Sequence, residues 1–368
     1  MPDRPDLHLD VYVAPMRPMR GSPAQGLGDD PMWSPMSSTL IHGEHDAVLV
    51  DTLVTFDQVD ALADWVESFG KHLTAIYMTH GHADHWIGLS RLLKRFPDAR
   101  GLATGKVHER AVFEATNPGL SAYWQSIFPA EVPADPVIPD QYDELIIELE
   151  GQPLEVISIG QGDTEHSTIL HVPAINAVVG GDVVYNQVHM MTAETDEKGR
   201  EDWIASLDQI AALAPRIVVS GHKRVAAADD PKTIGESQQY LRDFSRVVAS
   251  EPTVEGIVSA MLELHPNRDN PRVVWHSARE AVKKRQQGLD AKSNHDDELR
   301  HRPNARKNGG ELLSPAGTFT GIAIHHQPLG TVLAYSREMR SNLDGPIDPA
   351  TSTRHPRNHW TAAEPPVR

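Results

Sequence analysis

The stretch THGHADHWIG, Thr79 to Gly88, follows the apolar run LTAIYM and opens a segment with helical apolar spacing that stops at Pro97. A buried strand therefore delivers three histidines and an aspartate, His80 to His85, into one short loop. Imidazole nitrogen and carboxylate oxygen both suit Zn2+ at about 2.0–2.2 Å. His80 and His82 are two positions apart, so in an extended loop they can converge on one ion. Asp84 and His85 are adjacent and do not easily join that same ion, but they can serve a second one alongside it. Gly81 lets the backbone bend closely around the metals. The chain contains no cysteine, which removes disulfides and thiolate sites and favours an open catalytic site over a closed structural one.

The flanking sequence alternates strands and helices. STLIHGEHDAVLVDT (38–52) places two short apolar runs around GEHD and predicts a hairpin. FDQVDALADWVESFG (56–70) has helical spacing and ends on Gly70, a C-cap signal. ELIIELEGQPLEVISIG (144–160) predicts a second hairpin with Gly151 in its turn, and STILHVPAINAVVGGD (167–182) repeats the pattern with Pro173 at the break. EDWIASLDQIAALAP (201–215) is an amphipathic helix, RIVVSGH (216–222) a strand, and PKTIGESQQYLRDFSRVVAS (231–250) a further helix. Hairpins with interleaved helices imply a layered α/β fold with mixed sheets, not a purely parallel one.

Composition divides the 368 residues into three parts. Residues 1–37 are rich in Pro, Met and Gly and read as an irregular N-terminal arm. Residues 38–286 carry the periodic elements. Residues 287–368 are polar, Pro-rich and aperiodic, and read as a disordered extension in which GTFTGIAIHHQPLGTVLAYS offers one hairpin, marginal by itself. That extension holds 9 acidic and 10 basic residues, so residues 1–286 carry about −18 against a chain total of −17. Such a surface repels phosphate backbones and counts against a nucleic-acid partner. No apolar run reaches the roughly 20 residues of a membrane span, and the start has no apolar signal region. A soluble cytoplasmic protein acting on a small molecule is expected; its oligomeric state is not readable from the sequence.

THGHADHWIG, placed between a strand and a helix, resembles the His-x-His-x-Asp-His signature of the metallo-β-lactamase superfamily. The resemblance covers roughly residues 38–285. It implies an αββα sandwich of two mixed sheets flanked by helices, with the metal site at one sheet edge. It also implies three further ligands. A bridging aspartate after a strand ending in Gly-Asp corresponds to Asp182 in AVVGGDVVYN, and a late Gly-His to His222 in RIVVSGHKRV. The third position departs from the family's Gly-His-Thr-x-x-Ser. In GDTEHSTILHVP the register places Asp163 where histidine is usual, with His166 three residues later as the alternative. A carboxylate there remains an acceptable donor and also admits Fe or Mn. Asp51, after DAVLV, resembles the strand-end aspartate that supports the metal loop. Lactone-cleaving members have a tyrosine at the spacing of Tyr185 from Asp182. His189 and Trp86 are further residues within reach of a pocket.

The implied metal set is His80, His82, Asp84, His85, Asp163, Asp182 and His222, holding two divalent ions, with Zn2+ expected. Bound water would be acidified towards a pKa of about 7 and attack a carbonyl carbon. Asp84 would carry its proton to the leaving group, and Tyr185 would donate to the developing oxyanion. The expectation is a carboxylic ester or lactone hydrolase. The alternatives are a β-lactam, thioester or phosphodiester hydrolase of the same fold, or a binding module that keeps the fold without turnover.

Overall fold

Apolar runs such as DAVLV and STILHV present hydrophobic side chains to both faces of a strand, so each needs cover on both sides. The computed structural model, which describes residues 6–21 and 31–300 with side chains to residue 287, supplies that cover with two sheets enclosed by helices. The first half of the chain forms β1 (His8–Ala14), the short pair β2 (Arg17–Pro18) and β3 (Met32–Trp33), then β4 (Met36–His42) and β5 (Asp46–Val50). It continues through α1 (Phe56–Ser68), β6 (His72–Tyr77), α2 (Ala83–Trp86), α3 (Leu89–Arg95), β7 (Arg100–Ala103), α4 (Gly105–Thr116), α5 (Pro118–Ile127) and β8 (Asp140–Gln141). The second half contributes β9 (Ile146–Leu149), β10 (Gln152–Gly160), β11 (Ser167–Val172), β12 (Ala177–Val179) and β13 (Tyr185–Asn186). After these come α6 (Glu197–Ala212), β14 (Ile217–Val219), β15 (His222–Lys223), α7 (Lys232–Ser250), α8 (Val254–Leu264) and α9 (Pro271–Arg300).

The first sheet has the order β1-β4-β5-β6-β7-β8, antiparallel as far as β5 and parallel from β5 onward. The second has the order β14-β12-β11-β10-β9, antiparallel except where β12 meets β14. Successive side chains of a strand point to opposite faces, and here both faces are filled. Val48, Val50, Ala75 and Tyr77 of the first sheet meet Val156, Leu170, Val172 and Val179 of the second in the inter-sheet core. Their neighbours Leu49, Leu73 and Ile76 face outward to Leu62, Val66 and Leu92 under α1 and α3. Ile169, Val178 and Val218 face Trp203, Leu241 and Phe244 under α6 and α7. The αββα layering follows from these three clusters.

Three regions differ from the reading of the sequence. Residues 8–14, assigned to an irregular arm, form β1, which pairs along its whole length with β4; HLDVYVA alternates like a half-covered strand, but Pro, Met and Gly crowd the sequence around it. Residues 105–127 form α4 and α5, which have no counterpart above. The buried positions of α4 are only Val107, Ala111 and Glu114, a stripe too thin and too polar to stand out. The last helix runs through the boundary drawn at Gln287 as far as Arg300. The remainder of the proposed extension, residues 301–368 with its hairpin GTFTGIAIHHQPLGTVLAYS, lies outside the described residues, as do 22–30 of the arm.

Candidate metal centre

Four chain segments reach one edge of the sandwich. His80 to His85 follow β6, Asp163 follows β10, Asp182 follows β12 and His222 follows β14. Because β10, β12 and β14 run parallel to one another through antiparallel β11, their C-terminal ends share that edge. Cross-sheet hydrogen bonds fix the two halves there. The Thr168 amide donates to the Thr79 carbonyl at 2.8 Å and the Ser37 amide to the Gly221 carbonyl at 2.8 Å. Two glycines are sterically required at the edge. A Cβ on Gly81 would lie 2.3 Å from the Arg110 side chain, and one on Gly221 would lie 2.1 Å from Asp182 Oδ1.

The candidate ligands form three groups whose donor atoms all lie within 4.8 Å of one another: His80, His82 and Asp163; His80, His85 and Asp182; Asp84, His85 and His222. His82 Nδ1 is 2.9 Å from Asp163 Oδ2, and His80 Nε2 is 3.8 Å from Asp163 Oδ1. Asp182 reaches both sides, with Oδ1 3.3 Å from His85 Nε2 and Oδ2 3.2 Å from His222 Nε2. Asp84 Oδ2 is 3.4 Å from His222 Nε2. Four of these buried atoms have no hydrogen-bond partner: His80 Nε2, His85 Nε2, Asp163 Oδ1 and Asp182 Oδ1. Orphaned buried polar atoms are rare and costly. Here they converge, and a nitrogen-and-oxygen donor set of this kind fits divalent cations.

The outer nitrogen of each histidine has its own partner, which fixes the ring and leaves the inner nitrogen as donor. Thr79 Oγ1 lies 3.1 Å from His80 Nδ1, and Asp51 Oδ2 lies 2.9 Å from His85 Nδ1. The Pro35 carbonyl accepts from His222 Nδ1 at 2.9 Å. Glu194 Oε1 lies 3.1 Å from His82 Nε2 and is itself gripped by Arg110, whose Nη2 donates at 2.8 Å. Asp51 adopts a left-handed φ of 59° and accepts from the Thr79 amide and hydroxyl, both at 2.8 Å. This strand-end carboxylate therefore holds the metal loop from behind. Glu194 and Arg110 lie far along the chain from the histidine motif, and no local pattern marks them.

Burial and mutual charge set the protonation of the cluster. Burial lowers His80, with His85 adding to the effect, to well below the ordinary histidine value. Burial also acts to lower His82 and His85, but the surrounding carboxylates outweigh it and raise both. His222 is raised to about 10, chiefly by Asp182 acting against burial. Asp163 is pushed up to about 6 by burial, against the pull of His82. Protons thus collect on histidines among carboxylates, where a divalent cation would compete with them.

Asp163 lies inside this cluster, while His166 is exposed on the neighbouring turn with φ of 63°. The Tyr185 hydroxyl donates to Asp182 Oδ2 at 2.8 Å, and its ring stacks on His222 with centroids 5.5 Å apart. Burial and then Asp182 raise its pKa well above the ordinary tyrosine value, so it stays protonated. Trp86 is a core residue whose indole donates to the Gly81 carbonyl at 2.9 Å. His189 does line the cavity that opens onto the centre, a space of about 490 Å³ bordered also by His82, Asp84, Asp163, Tyr185 and His222.

The sequence profile of the metallo-beta-lactamase superfamily matches residues 32–222. The chain is 24% identical over 193 residues to metallo-beta-lactamase type 2 of Bacteroides fragilis, covering 51% of this chain and 69% of that protein. It is 36% identical over 69 residues to hydroxyacylglutathione hydrolase of Parasynechococcus marenigrum, covering 19% of this chain and 26% of that one. A metallo-beta-lactamase family protein from Thermus thermophilus has the same fold, with a TM-score of 0.50, 17% identity, and coverage of 74% of this chain and 94% of its own.

Proposed function

The chain belongs to the metallo-beta-lactamase superfamily of metallohydrolases, and we propose that it uses two divalent ions to cleave a carboxylic ester or lactone of small-molecule size. The observation that carries this reading is the convergence of seven nitrogen and oxygen donors, His80, His82, Asp84, His85, Asp163, Asp182 and His222, on one edge of the sandwich. Zn2+ is the ion we favour, and Fe or Mn is compatible with the carboxylate at position 163. Bound there, such ions supply Lewis acidity and make water a nucleophile at neutral pH.

The protein's own groups do the rest. Asp84 is held ionised because the charges of His85 and His222 outweigh the effect of its burial. From its place on the cavity wall this carboxylate can take up a proton transiently and deliver it to a leaving group. Tyr185, protonated and beside Asp182, can exchange that bond for one to an oxyanion. Among superfamily reactions, the tyrosine position supports esters and lactones. The short match to hydroxyacylglutathione hydrolases supports a thioester as the second reading. The proposal excludes nucleic acid as a partner, on the acidic charge of residues 1–286. It includes a cytoplasmic setting; no helix among the described residues is long and apolar enough to cross a membrane.

Elemental analysis of purified protein, paired with a panel of lactones, esters, thioesters and β-lactams, tests the reading. Close to two divalent ions per chain and chelator-sensitive hydrolysis are expected. Full activity in metal-free protein would overturn it.

A further inference from the structure

The cavity above the centre draws its walls from widely separated elements. One wall is α9, which turns Arg272, Trp275, His276 and Arg279 into the same space. Their spacing of i, i+3, i+4 and i+7 is a single stripe of the helix. Facing elements add apolar surface, including Trp33 of β3 and Trp124 of α5. The α9 stripe lies outside the residues that the superfamily profile matches, 32–222.

Both signs of charge line this space. Its acidic groups are the metal-centre carboxylates Asp84, Asp163 and Asp182, then Glu114 and Glu194, which Arg110 holds, and Glu280 of α9, which lies 3.7 Å from Lys283. Among the described residues, its formal cations are all arginines, and two of the three are on the α9 stripe. Arg272 and Arg279 line the same cavity as Asp84, Asp163 and Asp182, with Tyr123 also on its wall, so the arginine wall and the metal centre border one continuous volume. An anion entering it is repelled by the carboxylates and received by guanidinium groups, which bind carboxylate in a forked geometry. Aromatic and aliphatic surface fills the space between, and about 490 Å³ is enough to enclose a drug-sized molecule.

We propose that the cavity selects an anionic amphiphile: an ester or lactone with a large alkyl or aryl body whose far end carries a carboxylate-type anion bound by Arg272 and Arg279. The proposal rests on the hydrolase reading, and it concerns what that same site accepts. Hydrolysis itself follows the ordinary balance: water adds across the acyl–oxygen bond, giving an acid and an alcohol, while the remote anion is unchanged.

The test uses the full chain loaded with zinc and three p-nitrophenyl esters: acetate, octanoate and the half-ester of suberate, which is octanoate with a terminal carboxylate. The octanoate should exceed the acetate in kcat/KM, and the suberate half-ester should exceed the octanoate by about tenfold or more, mainly through KM, as charge-assisted hydrogen bonds would give. In the double variant Arg272→Gln, Arg279→Gln the suberate-to-octanoate ratio should fall towards one. The variant Arg272→Lys, Arg279→Lys, which keeps the charge but not the fork, should retain part of it. Unchanged melting temperature and metal content would show that both variants fold. Binding of free suberate, followed by tryptophan fluorescence, should weaken about tenfold in the glutamine variant. Hydrolysis with no preference for the anionic ester, or a preference that survives the glutamine variant, overturns the proposal and leaves the hydrolase standing. Arginine-dependent suberate binding without hydrolysis of any ester supports the cavity assignment and overturns the ester reading of the hydrolase.

Discussion

Asp163 shows how much one side chain decides. Its carboxylate lies 2.9 Å from His82 Nδ1, while His166 is exposed on the neighbouring turn. Asp163→Ala should therefore strip or weaken the ion between His80 and His82, and His166→Ala should leave metal content nearly unchanged, both read by elemental analysis. The opposite pattern would reverse the ligand assignment. Glu194 makes a subtler case. It touches the outer nitrogen of His82 and is locked by Arg110, so Glu194→Gln should weaken zinc at that ion's position by about 10–100-fold in a competitive chelator titration. An unchanged affinity would show that the contact is only structural. The ligand positions were legible because the motif, the strand ends and the Gly-Asp and Gly-His pairs are local patterns. Glu194 and Arg110 were not legible, since what makes them relevant is a tertiary contact between segments that no short window contains.

At the level of elements, the hairpins β4–β5 and β9–β10 and the helices α1, α6 and α7 were readable because their apolar periods run unbroken between Gly and Pro punctuation. β1 and α4 were not, since much of their value comes from the surface they cover. The loop after β13 and helix α7 form a pair of the same kind. His189 Nδ1 lies 3.1 Å from the Tyr240 hydroxyl, and burial, followed by the charges of Arg268 and His265, depresses its pKa to about 3. A depressed histidine stabilises the fold above its unfolded pKa of 6.5, and that contribution is lost as pH falls through the folded value. Denaturant titrations should show stability falling between pH 6.5 and 3 at up to about 1.4 kcal/mol per pH unit from this group. His189→Gln, which keeps a neutral hydrogen-bonding head, should remove that one-proton slope. An identical slope in the variant would assign acid sensitivity elsewhere.

For the whole molecule, the notable fact is that no ligand group is complete within one sheet. His80 to His85 hang from the first, while Asp163, Asp182 and His222 hang from the second, and each of the three groups draws on both. Chelation should therefore lower the melting temperature of the entire sandwich, by roughly 5–10 °C for an ion at a hundred times its dissociation constant. A melting temperature unmoved by chelator would place the ions outside the cooperative fold. The same division has a consequence for the order of events in time. A chain still searching for the docked arrangement offers a cation no finished site, and contacts between distant segments are slow to form. Zinc should then leave the refolding limb of a chevron plot nearly unchanged and act almost wholly by slowing unfolding. The ion would serve as a latch that closes after assembly, not as a seed that starts it.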